Sequence, residues 1–275
     1  MKRQSFNSNT INNTAFDRVE MPVENIQAFQ TTRLCPQTAT EFSSSIEQKS
    51  LTSFQTYSFS HFNLGLHVGD DRKLVLKNRQ QLLTYLPEKS EVQWLEQVHG
   101  NHVVIVEKPT ETMQADAVIT RTPKLALAIM TADCLPILLS NKQGTEIAAI
   151  HAGWRSLASG IISETLLKML SENDEIHAWL GPCISQNNFE VGIEVKHQFE
   201  QINQSLSKAF RINDKSPHQN KWLGGLQQIA QQQLIEQGVV NIATNKHCTF
   251  GENERYYSYR KEQLTGRMAA VICIK

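Results

Sequence analysis

The stretch LALAIMTADCLPILLSNKQGTEIAAIH, residues 125–151, decides the fold. It holds three short apolar runs, Leu125 to Met130, Leu135 to Leu139 and Ile147 to Ile150, the last two separated by a turn at Asn141 to Gly144. Runs this short, bounded by turn residues, read as buried strands rather than helices. The stretch also carries two residues that bind soft or borderline metals, Cys134 and His151. Each falls at the end of a strand or in the turn beyond it, where a sheet holds a side chain rigidly yet leaves it open to solvent.

Downstream, Leu157, Ile161, Leu166 and Met169 recur at helical spacing and predict a helix from Gly153 through Leu170. Ala178 to Leu180 reads as a strand running into the Gly181-Pro182 turn, Glu190 to Glu200 and Lys221 to Gln237 as helices, and Arg267 to Ile274 as a closing strand. Upstream, Lys73 to Leu83 has helical spacing, and Val92 to Leu95, Val103 to Val106 and Ala117 to Thr120 read as strands. Residues 1 to about 55 are polar and read as a tail and variable loop that includes the Thr31–Arg33 segment; Ser, Thr, Gln and Asn are densest between Gln37 and Ser60. Strands and helices mix without a βαβ repeat, which predicts an α+β domain over 56–275.

Composition excludes several functions. The 27 basic and 27 acidic residues cancel, so no global field favours nucleic acid or an anionic membrane, and a small ligand fits better. There is no apolar leader and no run near the ~20 residues of a membrane helix, and the five cysteines contain no CxxC pair. These features predict a cytoplasmic protein with reduced thiols. They leave the oligomeric state open.

His99, in Gln97-Val98-His99-Gly100, adds a third metal-ligand type. Two imidazoles and a thiolate are one short of a closed structural zinc site, and an open fourth position is where water or substrate is activated. The gaps of 35 and 17 residues are too wide for a zinc finger, so only tertiary folding can assemble the site. Asp133, beside Cys134, is a candidate acceptor for a ligating imidazole. Gly100 and Gly153 permit close backbone approach. Arg155, opening the helix after His151-Ala-Gly-Trp154, is a candidate anion ligand, as are Arg33 and Arg260 in uncharged surroundings. The same residues allow a second chemistry, with Cys134 as a thiolate nucleophile and His151 or His99 as its base. A third possibility is a metal-binding scaffold without turnover.

The ordered motifs Phe62-Asn63-Leu64-Gly65-Leu66-His67-Val68-Gly69-Asp70-Asp71, Gln97 to Gly100, Ala115-Asp116-Ala117, Thr131 to Pro136 and His151 to Arg155 resemble the YfiH, or laccase-domain, family. The resemblance continues through Trp179 to Ile184, Phe189 to Gly192, Ser258-Tyr259-Arg260 and Thr265 to Met268, with an upstream echo at Ala28 to Arg33. It implies a single α+β domain with a layered α/β/β/α sandwich of mixed sheets. It also implies a metal site at His99, Cys134 and His151, holding zinc, with copper as an alternative. The implied chemistry is phosphorolysis of adenosine, inosine and methylthioadenosine, with deamination of adenosine. On that reading Arg155, Arg260 and Arg33 meet phosphate, and Asn63 hydrogen-bonds sugar or phosphate. The family has also been linked to copper-dependent polyphenol oxidation and to peptidoglycan editing, so a Cys134-dependent amidohydrolase on peptidoglycan precursors stays open. A multicopper oxidase normally uses His-x-His ligand pairs, and the nine histidines here form none.

Overall fold

The structure is a computed structural model that describes residues 15–36, 59, 61–218 and 220–275. Two sheets lie face to face at its centre. The first orders its strands Phe16–Val19, Ile26–Thr31, Met268–Ile274, Leu125–Thr131 and Glu91–Gln93. The second orders Asn241–Thr244, Ile176–Leu180, Leu135–Asn141, Ile147–Ala152, Ala117–Thr120 and Val103–Ile105. Both are mixed: most neighbours are antiparallel, but Glu91–Gln93, Val103–Ile105 and Asn241–Thr244 pair in parallel.

The layering follows from the period-2 alternation of strand side chains. Along Leu125–Thr131, Leu125, Leu127 and Ile129 face the core between the sheets, while Ala126 and Ala128 face an outer core with Leu82 of the Arg72–Leu83 helix. Along Leu135–Asn141, Leu138 enters the same central core, whereas Leu135, Ile137 and Leu139 face the helices packed on the second sheet. Each central strand is therefore apolar on both faces, which is why it reads as a continuous apolar run. The result is the expected α/β/β/α sandwich of an α+β domain.

Several local expectations are corrected. The polar tail predicted through residue 55 gives way at Phe16–Val19 and Ile26–Thr31 to two strands of the first sheet. Gln30 and Thr31 are fully buried there, with the Thr31 hydroxyl accepting the Ala269 N–H at 2.9 Å and the Gln30 amide donating to the Thr31 carbonyl at 2.8 Å, so polarity in this segment does not mean exposure. Residues 37–58, read as loop, lie outside the described residues. The helix after Gly153 is two helices, Trp154–Ala158 and Ile161–Lys168, broken at Gly160, whose φ of +85° costs glycine little. Glu190–Gly192 and Lys221–Gly224 are short strands paired with one another, and the helices begin only at Ile193 and Leu226.

Candidate metal centre

The two sheets bring His99, Cys134 and His151 to one point, with their donor atoms all within 4.8 Å of one another. His151 lies in the Ile147–Ala152 strand, in register with Pro136, so its neighbouring strand presents Cys134 beside it. Cys134 occupies the tight connection after Thr131, where Asp133 is held at φ +88°. His99 comes from the loop after Leu95–Glu96 and is itself left-handed, at φ +61°. Non-glycine residues are uncommon in that region, and here two flank or supply the ligands.

The loop of His99 is fixed from both ends. The Gln97 side-chain amide exchanges hydrogen bonds with the Met130 backbone, donating at 2.7 Å and accepting at 2.8 Å. Beyond it, the N–H groups of Val98, His99 and Gly100 converge on the carboxylate of Asp116, at 3.3, 2.9 and 2.7 Å. That carboxylate, fully buried, also meets His151 Nδ1 at 2.8 Å, and the Asp116 carbonyl accepts the His151 N–H at 2.7 Å. Because Nδ1 is committed to Asp116, Nε2 is the nitrogen His151 offers a metal. A carboxylate behind a ligating imidazole in this way sets its tautomer and orientation.

Asp133 was the residue expected in that role, and it is engaged elsewhere. Its carboxylate accepts the Thr249 hydroxyl at 2.6 Å and the Arg260 N–H at 2.6 Å. It thus pins the strained turn that presents Cys134. Asp116 carries no sequence signal beyond its place between two alanines, because only the folded register brings it under His151.

The donor set fits a metal. Cys134 Sγ and His99 Nε2 stand 3.8 Å apart, close to the ~3.5 Å between sulfur and nitrogen ligands of a tetrahedral zinc with ordinary bond lengths. The two imidazoles meet edge to face at 4.7 Å between centroids, so both can address one ion. Burial pushes the Cys134 thiol up, but the His151 and His99 imidazoles outweigh it and bring the thiol below its ordinary range. Burial likewise pushes His151 down, and the Cys134 sulfur and Asp116 more than reverse that. The thiolate and the protonated imidazole thus favour one another, and because a metal needs the thiolate and the neutral imidazole, its binding competes with protons. Gly153 leaves little room: a Cβ there would meet His99 Cδ2 at 3.0 Å and Cys134 Sγ at 3.2 Å, so both ligands would have to give by a few tenths of an ångström. Gly100 is under no such pressure, since its Cβ would make ordinary contact with Asp116 at 3.6 Å. Among the described residues this is one cluster of three ligands, without the further centres a multicopper oxidase needs.

The expected anion ligands separate. Arg33 pairs with Glu262 at 2.9 Å, donates to the Asn253 carbonyl at 2.6 Å and lies over the Tyr257 ring. Asn63 is fully buried and holds Gly65, Asp70 and Arg267 together, accepting from the N–H groups of Gly65 and Arg267 and donating to Asp70. Arg155 is exposed on a helix of only five residues and stacks on Trp154. Arg260 is the one tied to the metal loop, through its N–H to Asp133, while its guanidinium reaches the Glu190 carbonyl at 3.1 Å.

Two residues without a sequence-level assignment come forward instead. A pocket of about 220 Å³ beside the Asp133–Cys134 loop is lined by His67, Tyr259, Gln263, Thr265 and Arg267. Arg267 interacts electrostatically with Cys134 and Asp133. Burial lowers the His67 pKa, and Arg267 and Arg79 lower it further, so that imidazole is neutral at pH 7 in a cationic setting.

The family described as "Multi-copper polyphenol oxidoreductase laccase" matches residues 48–275. A relative in Escherichia coli K12 named purine nucleoside phosphorylase YfiH is 42% identical over 215 residues, covering 78% of this chain and 86% of the relative. A purine nucleoside phosphorylase of Haemophilus influenzae is 39% identical over 77% of this chain and 86% of its own length. Among solved structures, a Neisseria meningitidis protein superimposes with a TM-score of 0.78 at 34% identity, covering 95% of this chain and 99% of that one. YlmD from Geobacillus stearothermophilus also gives 0.78, at 25% identity, over 99% and 98% of the two chains.

Proposed function

This chain belongs to the laccase-domain family of YfiH proteins, and from that premise we propose that it is a zinc-dependent purine nucleoside phosphorylase that also deaminates adenosine. The observation that carries the reading is the cluster of His99, Cys134 and His151, three donors on one point with Asp116 behind them. Relatives named purine nucleoside phosphorylase supply the substrate class, a purine nucleoside with phosphate. Copper suits the same thiolate and imidazoles, and zinc is preferred for chemistry without redox. A bound zinc ion supplies Lewis acidity and lowers the pKa of a water to about 7.

The chain's own groups do the rest. Phosphorolysis breaks the bond between the sugar's anomeric carbon and the base and forms a bond to phosphate oxygen. Arg267, beside the metal loop, orients the phosphate and holds its charge. His67, whose imidazole burial and the nearby Arg267 keep neutral, is our candidate to take the proton from phosphate and pass it to the departing base, so that the free purine leaves protonated. Asp133 keeps Cys134 in place and, through the Arg260 N–H, ties the pocket's rim to the metal loop. Arg155 and Arg260 remain the exposed cations for a second phosphate contact. No helix among the described residues is long and apolar enough to cross a membrane.

Incubation with adenosine, with and without phosphate, followed by chromatography tests the reading. Adenine appearing only with phosphate is the expected outcome for phosphorolysis, and inosine in either condition for deamination. Absence of all products in metal-loaded protein would overturn it.

The depressed Cys134 thiol beside two imidazoles favours one rival, a thiolate amidohydrolase acting on peptidoglycan precursors. Metal removal separates the two. Chelated protein should lose nucleoside turnover, whereas a thiolate hydrolase would keep its activity without metal and lose it in Cys134→Ser.

A further inference from the structure

Cys248 and Cys183 stand apart from the metal donors and are paired with each other across a parallel β-bridge. Neighbouring strands lie ~4.8 Å apart, inside the roughly 4.4–6.8 Å between Cα atoms that a disulfide spans. The Thr249 N–H donates to the Cys183 carbonyl at 3.1 Å, which fixes the register of the pair. The two sulfurs differ in their surroundings. Cys248 is partly exposed, and its Sγ accepts from the Ser185 N–H at 3.3 Å, the Asn188 amide at 3.2 Å and the Gly251 N–H at 3.4 Å. Cys183 is 2% exposed and its sulfur has only a carbonyl, that of Ile184, to address.

From this pairing we propose that Cys248 and Cys183 form a peroxide-responsive thiol couple, in which Cys248 is oxidised first and Cys183 closes a reversible disulfide onto it. Three donors aimed at one sulfur favour its thiolate, the form that reacts with peroxide. Burial pushes the Cys248 thiol up, and the contacts from Ser185, Gly251 and Asn188 outweigh it. Burial holds Cys183 well above the ordinary thiol range, so it stays protonated and does not compete for oxidant.

The chemistry balances with hydrogen peroxide as the oxidant. The Cys248 sulfur attacks one peroxide oxygen, the O–O bond breaks, a sulfenic acid forms and the second oxygen leaves as water. The Cys183 sulfur then attacks the Cys248 sulfur, an S–S bond forms, and the S–O bond breaks. That oxygen leaves as water with the Cys183 proton. Two thiols are oxidised by two electrons and one peroxide is reduced to two waters.

The couple is wired to the metal loop. Ile184, next to Cys183, donates its N–H to the Asp133 carbonyl at 2.9 Å, and Thr249, next to Cys248, donates its hydroxyl to the Asp133 carboxylate at 2.6 Å. Two of the three contacts that hold the turn before Cys134 thus flank the sulfurs that the disulfide would join, the third being the Arg260 N–H.

Zinc-loaded full-length protein treated with hydrogen peroxide, alkylated and digested without reductant gives the test. The expected result is a linked peptide pair containing Cys183 and Cys248 that disappears on treatment with dithiothreitol. In Cys183→Ser, dimedone should label Cys248. In Cys248→Ser, Cys183 should stay alkylatable after peroxide. The wild-type map does not depend on either variant folding. Oxidation confined to the exposed Cys35 with Cys248 still alkylatable would overturn the proposal, as would a Cys248 sulfenic acid that never links to Cys183.

Discussion

Asp116 and Glu146 are both buried carboxylates that gather backbone N–H groups, and only Asp116 stands behind a cluster of metal donors. Asp116 takes the N–H groups of Val98, His99 and Gly100 and the His151 imidazole. Glu146 takes those of Leu170 and Ser171, each at 3.0 Å, the Ser171 hydroxyl at 2.7 Å and the Arg121 guanidinium at 2.8 Å. In both, burial pushes the carboxyl up and the hydrogen bonds more than reverse it, leaving the pKa lowered. What separates them is what their partners have left to give. Every group Glu146 binds is a backbone N–H just beyond a helix, a hydroxyl or an arginine, none of which ligates a metal. Asp116 binds the backbone of one ligand and the ring of another, and leaves His151 Nε2 and His99 Nε2 to meet an ion. A depressed buried carboxylate is therefore not by itself a functional marker; unfilled valence in its partners is.

Removing a donor tests that contrast most severely. His151→Ala or Cys134→Ser should bring zinc stoichiometry close to zero. It should also remove several kcal/mol of transition-state stabilisation, a rate loss on the order of 10³-fold. Atomic absorption and steady-state rates on the same preparation measure both. Wild-type turnover in either variant would end the metal reading.

Asp116→Asn comes next. Asparagine can still accept from His151 Nδ1, but its amide nitrogen cannot accept the N–H groups that Asp116 gathers at its second oxygen. Loss of such a carboxylate typically weakens metal binding ~10–100-fold. Glu146→Gln leaves donors equally unmatched and should cost ~1–3 kcal/mol of stability, yet leave zinc affinity unchanged. Competitive zinc titration set beside chemical denaturation separates the two variants; equal loss of zinc affinity in both would dissolve the comparison.

The pH dependence of Glu146 has a definite sign. Its folded pKa is lowered, so its stabilisation is fully present above the unfolded value near 4.3 and is lost as pH falls through the folded value. Glu146→Gln should therefore flatten the acid limb of the stability profile below about pH 4 while lowering the plateau. A parallel downward shift at all pH values, with the acid slope intact, would mean that the carboxylate's charge is not what holds the end of the Ile161–Lys168 helix.

The same contrast explains what could be read without coordinates. The central strands were legible because apolar runs of four to six residues admit few other readings, and because burial on both faces leaves no polar alternation to interpret. The three ligands were legible by residue type, and their convergence only as what the resemblance to the laccase-domain family implies. Asp116 and Arg267 were not assigned, since their roles come from register and from a pocket wall, which no local spacing encodes. Asp133 misled for a physical reason: sequence adjacency to Cys134 suggested contact with an imidazole, whereas its positive φ aims the carboxylate at Thr249 and Arg260. The Ile26–Thr31 strand was hidden by Gln27, Gln30 and Thr31: the Gln27 amide reaches the Tyr85 carbonyl beyond the Arg72–Leu83 helix, the Gln30 amide donates to the Thr31 carbonyl, and the Thr31 hydroxyl accepts the Ala269 N–H.

Arginines repeat the lesson at the smallest scale. Arg33 already has a carboxylate, a carbonyl and an aromatic face, whereas the Nη1 bonds of Arg267 go to the carbonyls of Thr265 and Gly266 and its anionic neighbours belong to the metal loop. Arg267→Gln should therefore raise the KM for phosphate with zinc content unchanged. Arg33→Gln should leave that KM alone and lower stability by no more than ~1 kcal/mol, the range of a partly exposed ion pair. The Arg33–Glu262 side chains are 18% and 26% exposed, so water already screens part of their attraction. If Arg33→Gln instead raised the phosphate KM as much as Arg267→Gln did, an arginine with satisfied partners would be binding substrate, and satisfied valence would lose its value as a sign of a structural role.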